Sequence, residues 1–444
     1  MLKSLVHRSL RKMGLSILRG DPRAEIDDLR HELAHCRQEI ALRQQQVLAF
    51  QRSITTGRCF TDDACLPEPA PKHRLGDDRE LLALVAATAK QNRLPEAVTR
   101  ILTDPEFSVE DRSKYMKLFQ FVSPELYDRT APILATIINR QYIRYRPRHP
   151  DQELIRRQAA TLHSEGVLHL GPVFDDRQVR EIQDYFLKRP IYNGHTPMSA
   201  RHRHLRRYVN YTADDFPIGS YSVQEIALAP HLLEFIFSPM ILDTAAAYLG
   251  CAPRLSWLQS WWNFAGPGDY PHRQHFYHRD TNDFGMFWVY IYLTDVDAGA
   301  GPHSLIRRSG DYAVVHERFE RAKSDPARAA RLAATTLDEI TGTGHSVSDE
   351  VKELVFDGLT ELMGGRAGTV FITRGVDFHK VVTPLVRKRQ IYAARFTINE
   401  LNYYGWDRDG DPVPGEVVAE RVGEDEQLRY ITANRFDWSH WVSP

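Results

Sequence analysis

The sequence predicts a β-rich α+β protein, a β core with surrounding helices, preceded by an N-terminal helical region that contains a coiled coil. Three observations predict it. After about residue 160, strand-like apolar stretches recur at 167–170, 255–264, 286–293, 369–373 and 390–398, with helical patterning at 179–187 and in an insert at 317–362. From Ile26 to Ile54 the apolar residues alternate spacings of three and four. Between these regions, 79–150 is patterned as helix, for example at Leu81, Leu82, Val85 and Ala86.

In chain order, residues 1–21 carry Lys3, Arg8, Arg11, Lys12 and Arg19, with Leu2, Val6, Leu10, Met13 and Ile17 at helical spacing. They read as a short basic amphipathic helix, suited to peripheral contact with an anionic membrane, to a transit role in a eukaryote, or to packing on its own protein. Residues 22–55 read as the coiled coil. Ile26, Leu33, Ile40, Val47 and Ile54 take position a, while Leu29, Cys36 and Phe50 take d and Arg43 breaks the pattern. β-Branched residues at a favour a parallel dimer, so a homo-oligomer is expected. A linker follows at 56–78, marked by Pro67, Pro69 and Pro71, then the helical region 79–150 and a catalytic domain at 151–444.

Composition narrows the function. Hydrophobic residues make up 42% and charged residues 26%, enough for a sizeable buried core. Fifty-seven Lys and Arg against 58 Asp and Glu leave no basic excess for a phosphate backbone, so no nucleic-acid partner is expected. The sequence contains no apolar run long enough for a membrane-spanning helix. Four cysteines, with only Cys59 and Cys65 close together, suit a reduced cytoplasmic protein better than a disulfide framework.

The chemistry lies around His278 and Asp280. Two apart in an extended chain, they share a face and supply an imidazole and a carboxylate, two corners of a facial triad that leaves three metal positions open. Among 19 histidines a His-x-Asp pair is expected about once by chance, and His149-Pro150-Asp151 is a second case. That one sits among prolines and reads as a turn. His379 is the candidate third ligand, placed between two predicted strands. His272 and His275 lie nearby, but His275 has the opposite strand parity and His272 precedes the strand, so both read as structural or substrate-side.

Over roughly 160–400 the sequence resembles the phytanoyl-CoA dioxygenase-like superfamily of Fe(II)/2-oxoglutarate oxygenases. The resemblance rests on Glu165-Gly166-Val167-Leu168-His169-Leu170, on Tyr277-His278-Arg279-Asp280, on Tyr292 to Asp297 with Gly301-Pro302-His303-Ser304, and on His379 with Arg389 ten residues later. Where the family usually writes Pro-Gly-Ser-His this chain has Arg307-Arg308-Ser309-Gly310, a departure in a turn. The resemblance implies a double-stranded β-helix of the jelly-roll, cupin-like kind, with iron held by His278, Asp280 and His379. It also implies 2-oxoglutarate as co-substrate, its far carboxylate on Arg389, and Tyr290 and, more weakly, Asn263 lining the pocket. Arg387 and Arg395 share the strand parity of Arg389 and remain rivals, and Tyr290 is equally one of a row of core aromatics.

The expected reaction is hydroxylation of a small-molecule or conjugated substrate with O2, with 2-oxoglutarate decarboxylated to succinate and CO2; desaturation or ring closure would use the same oxidant, and the sequence does not distinguish them. Asp280 disfavours halogenation, which needs a small residue there. The rivals are a catalytically inactive scaffold and a cupin-like metalloenzyme without 2-oxoglutarate, which would leave Arg389 without a task. The 317–362 insert and the basic 192–211 segment are expected to frame the entrance. If 22–55 dimerises the chain, removing residues 1–65 yields a folded, iron-binding monomer in sedimentation velocity; a truncated protein that stays dimeric refutes the coiled coil.

Overall fold

The structure is a computed structural model that describes residues 131–132, 134–136, 138–140, 143–193, 207–208, 218–265, 276–280, 283–341, 346–398, 413–433 and 436–437. The chain separates into two compact units, Met1–Phe119 and Gln120–Pro444. The basic helix, the coiled coil, Cys59 and Cys65, the linker, most of 192–211, and His272 and His275 lie outside the described residues.

The second unit is built on antiparallel strands: β1 (Val167–Pro172), β2 (Ile191–Asn193), β3 (Arg207–Tyr208), β4 (Ile218–Ser220), β5 (Arg254–Asn263), β6 (Tyr277–His278), β7 (Met286–Tyr292), β8 (His303–Ile306), β9 (Ser346–Val347), β10 (Thr360–Met363), β11 (Thr369–Arg374), β12 (His379–Val381) and β13 (Arg389–Thr397). Eight form a major sheet in the order β1-β11-β7-β13-β5-β4-β2-β3, and five form a minor sheet, β10-β8-β12-β6-β9. β1 to β5 all lie in the major sheet, and from β5 to β13 the chain crosses repeatedly between the two antiparallel sheets, as in a double-stranded β-helix.

Side-chain alternation turns the major sheet into a two-faced wall. Across three strands the register aligns Trp288, Arg395 and Trp257, then Tyr290, Ala393 and Gln259, then Tyr292, Ile391 and Trp261. These rows share one face and supply much of one hydrophobic core, with Phe371 of β11 and Leu305 of β8. The opposite face of β7 and β13 is equally buried, which is why β7 reads as a continuous apolar run, while β13 buries Arg389, Gln390, Arg395 and Thr397 among its apolar residues.

The insert begins earlier than the sequence suggested and ends in a strand. It holds helices Tyr312–Ser324, Pro326–Arg331, Leu337–Thr341 and Asp349–Val355, then joins the minor sheet through β10. Val315, Phe319, Leu332 and Phe356 pack with Tyr277, Ile306 and Phe378 in a separate core. Alternation puts Tyr277 on the face of the minor sheet opposite His278, so this core packs behind β6, while β9 of the insert pairs with β6 beside His278 itself. Arg279 ties it there, donating to the Ile340 carbonyl at 2.8 Å and stacking on Phe378 at 3.9 Å.

Residues 145–152 are fastened to the core by Asp243, a buried carboxylate that accepts from the Tyr145 hydroxyl, the Arg148 and His149 amides and Gln152 at 2.7–2.9 Å. His149-Pro150-Asp151 is a helix entry: Asp151 caps helix Gln152–Glu165 by accepting from the Leu154 amide at 2.8 Å.

The turn between β11 and β12 is held by a buried ion pair. Arg374 donates to both carboxylate oxygens of Asp377, at 2.8 and 2.9 Å, and Asp377 also accepts from the Gly310 amide at 2.7 Å. Gly166 faces this pair with φ +80, and a Cβ there would stand 2.3 Å from an Asp377 oxygen. Asp377→Ala, which strands a buried guanidinium, should therefore cost about 3–5 kcal/mol in urea unfolding. Gly166→Ala should cost about 1–3 kcal/mol through its strained backbone and the overlap. Unchanged midpoints in both variants would show that the turn is held by something else.

Candidate metal and oxo-acid site

His278 and His379 face one another across the pairing of β6 with β12, as direct register partners. Their rings are 4.6 Å apart, and Asp280, just past the end of β6, brings a carboxylate oxygen 3.7 Å from Nε2 of His379. One donor atom from each residue lies within 4.8 Å of the other two, so the three can share a single ion.

Both imidazoles are oriented in the same way. Nδ1 of His278 bonds the Phe276 carbonyl at 2.8 Å, and Nδ1 of His379 bonds the Asp377 carbonyl at 2.9 Å. A carbonyl only accepts, so each Nδ1 carries the proton and each Nε2 offers its lone pair. Asp280 is held by its amide, which donates to Gly375 at 2.9 Å; a Cβ at Gly375 would come 3.2 Å from that of Asp280. The glycine lets the two segments close up.

Arg389 lies deeper. It is fully buried, donating to the Asn263 side chain at 2.6 Å and to the Gly301 carbonyl. Its Nε has no partner, and no carboxylate among the described residues bonds it. Burial pulls its pKa down from the ordinary value, with the Tyr292 hydroxyl beside it opposing. Gly301 has φ +73, and a Cβ there would meet the Val382 carbonyl oxygen at 2.3 Å, so only glycine presents its carbonyl to the guanidinium this way.

The other sequence candidates separate by environment. Arg387 is half-exposed and pairs with Asp297. Arg395 is buried between Trp257 and Trp288, 5.5 and 5.2 Å from their rings, with Nε on Ser256 at 2.9 Å. Asn263 accepts from Arg389 and from the Trp261 indole at 3.0 Å, a holder of the guanidinium. Tyr290 stacks on Phe371 and Trp288, at 5.1 and 5.5 Å, and burial followed by the Asp280 charge raises its pKa well above the ordinary value.

One residue was missed. His303, the first residue of β8, is 4% exposed and stacks on His379 at 5.3 Å and near Tyr290 at 5.0 Å. Burial first, then the ionisable neighbours His379, Arg389 and His278, hold its imidazole well below the usual histidine range. In the sequence it stands within Gly301-Pro302-His303-Ser304 and takes no role there, because a strand of four residues is too short to display a face.

No family model matches the chain, and no curated protein matches it. Solved structures do. The epimerase SnoN, in complex with Fe3+, alpha ketoglutarate and nogalamycin RO, is 14% identical over 56% of this chain and 84% of its own, with a TM-score of 0.34. HygX from Streptomyces hygroscopicus, with nickel and 2-oxoglutarate bound, is 13% identical over 55% and 86%, at 0.34. EctD from S. alaskensis, with 2-oxoglutarate and 5-hydroxyectoine, is 14% identical over 59% and 80%, at 0.36. At this distance the likenesses assign no residue role and no activity to this chain.

Proposed function

We propose that this protein is an Fe(II)/2-oxoglutarate-dependent oxygenase of the phytanoyl-CoA dioxygenase type that hydroxylates a small-molecule or conjugated substrate. The observation that carries the proposal is the coexistence of two features in one interior: a His-Asp-His donor set with room for one ion, and a fully buried guanidinium with no carboxylate partner among the described residues. A metal centre alone leaves Arg389 unexplained. A 2-oxo dicarboxylate would engage both, its keto-acid end toward the His278, Asp280 and His379 set and its far carboxylate on Arg389.

The residues fit those groups. Two neutral imidazoles and a carboxylate are the donor set that suits non-haem iron(II) and leaves positions open for other ligands. Iron(II), when bound with the oxo acid, supplies activation of O2 and oxidation of a C–H bond, with succinate and CO2 as co-products. The chain's own tasks are positional. The carbonyls of Phe276 and Asp377 keep the imidazole lone pairs aimed at one point. Asn263 and Gly301 hold the guanidinium rigid before any ligand arrives, and Trp288, Tyr290 and Phe371 form an apolar wall that excludes water. The heptad segment 22–55 we assign to dimerisation, apart from this chemistry.

Two outcomes are expected of purified, iron-loaded protein. His379→Ala should lose most of its iron and its succinate formation; iron content equal to the parent refutes the ligand set. Arg389→Lys should keep its iron but require roughly tenfold or more 2-oxoglutarate, because an ammonium cannot reproduce the planar fork. An unchanged requirement refutes the anchor.

A further inference from the structure

The start of β8 runs from one half of the proposed site to the other. Gly301 gives its carbonyl to Arg389, His303 opens the strand, and Leu305 is the register partner of His379. Residues 303 and 305 share a face, so His303 projects into the interior between the guanidinium and the ligand set. Tyr292 secures this placement: its hydroxyl accepts from the His303 amide at 3.1 Å, donates to the Met363 carbonyl at 2.6 Å and lies beside Arg389.

The His303 ring has no partner for Nε2, which is buried and makes no hydrogen bond. Arg389 Nε is in the same condition. Leaving such a group unsatisfied is costly, and one in a native core calls for an explanation. Two unpartnered nitrogens on neighbouring walls of one interior have a common one, since a carboxylate can accept from both.

We infer that His303 is a co-substrate residue whose Nε2–H donates to the far carboxylate of the 2-oxo acid alongside Arg389. The inference rests on the proposed 2-oxoglutarate site and adds a contact to it. Filling the space among Tyr290, Phe371 and His379 is the competing role, and an apolar side chain could perform it.

The experiment is calorimetric titration of 2-oxoglutarate into full-length, nickel-loaded protein, with nickel content measured in parallel. His303→Leu should keep its nickel and weaken 2-oxoglutarate binding about tenfold or more, the loss expected of a charge-assisted hydrogen bond. His303→Gln, which retains an N–H donor, should recover most of that loss. Weakening of less than about threefold in His303→Leu, failure of His303→Gln to recover binding, or loss of nickel from both variants overturns the contact. If these occur while the parent binds 2-oxoglutarate, the proposed function stands without His303. A parent that does not bind it overturns both.

Discussion

The Arg374–Asp377 pair is the constraint on which the rest of the site depends. The Asp377 carboxylate receives Arg374 and the Gly310 amide, while its backbone carbonyl fixes the ring of His379. Arg374 reaches further, donating to the His163 carbonyl at 3.1 Å from its side chain and to Gly166 at 3.1 Å from its amide. The helix end at 163–166, the 307–310 turn and the approach to β12 thus meet at one carboxylate. Burying two charges is seldom a net source of stability, but removing one is expensive, so such a pair penalises every arrangement except the right one. Here the right one aims the His379 imidazole.

Arg389 presents the opposite situation. Its charge is fully buried beside an amide oxygen and a carbonyl, dipoles that soften the desolvation cost without neutralising it. The surrounding rows of Trp, Tyr and Phe lower the local dielectric, which raises that cost and equally strengthens the attraction for any anion that enters. A core tuned for stability alone would place a hydrophobe there.

The long strands were legible because burial on one or both faces writes itself into five or more residues. The predicted stretches at 255–264, 286–293 and 390–398 fall within a residue or so of β5, β7 and β13. The minor sheet was not legible. Its strands are two to four residues long, too short for a period, and their order depends on pairing between distant segments. His278 and Asp280 could be singled out by spacing, and His379 by its place between strands. What separates Arg389 from Arg387 and Arg395 is burial and partners, which no local pattern encodes. His303 was hidden for the same reason. The Arg307-Arg308-Ser309-Gly310 departure reaches the turn before His379: Arg308 takes φ 60, Gly310 binds Asp377, and the Phe378 amide donates to Ser309 at 2.6 Å.

The direct pairing of His278 with His379 also bears on how the chain folds. The two sit about a hundred residues apart, so closing that loop costs entropy before any contact repays it. No fragment lying on one side of the insert contains the full donor set. The centre comes into being only when β6 meets β12, a non-local step of the kind that slows folding. An ion held by these donors therefore binds the native chain and not the unfolded one, and a free concentration a hundredfold above its dissociation constant adds about 2.7 kcal/mol to stability. Metal supply would then set part of the equilibrium stability of the folded protein.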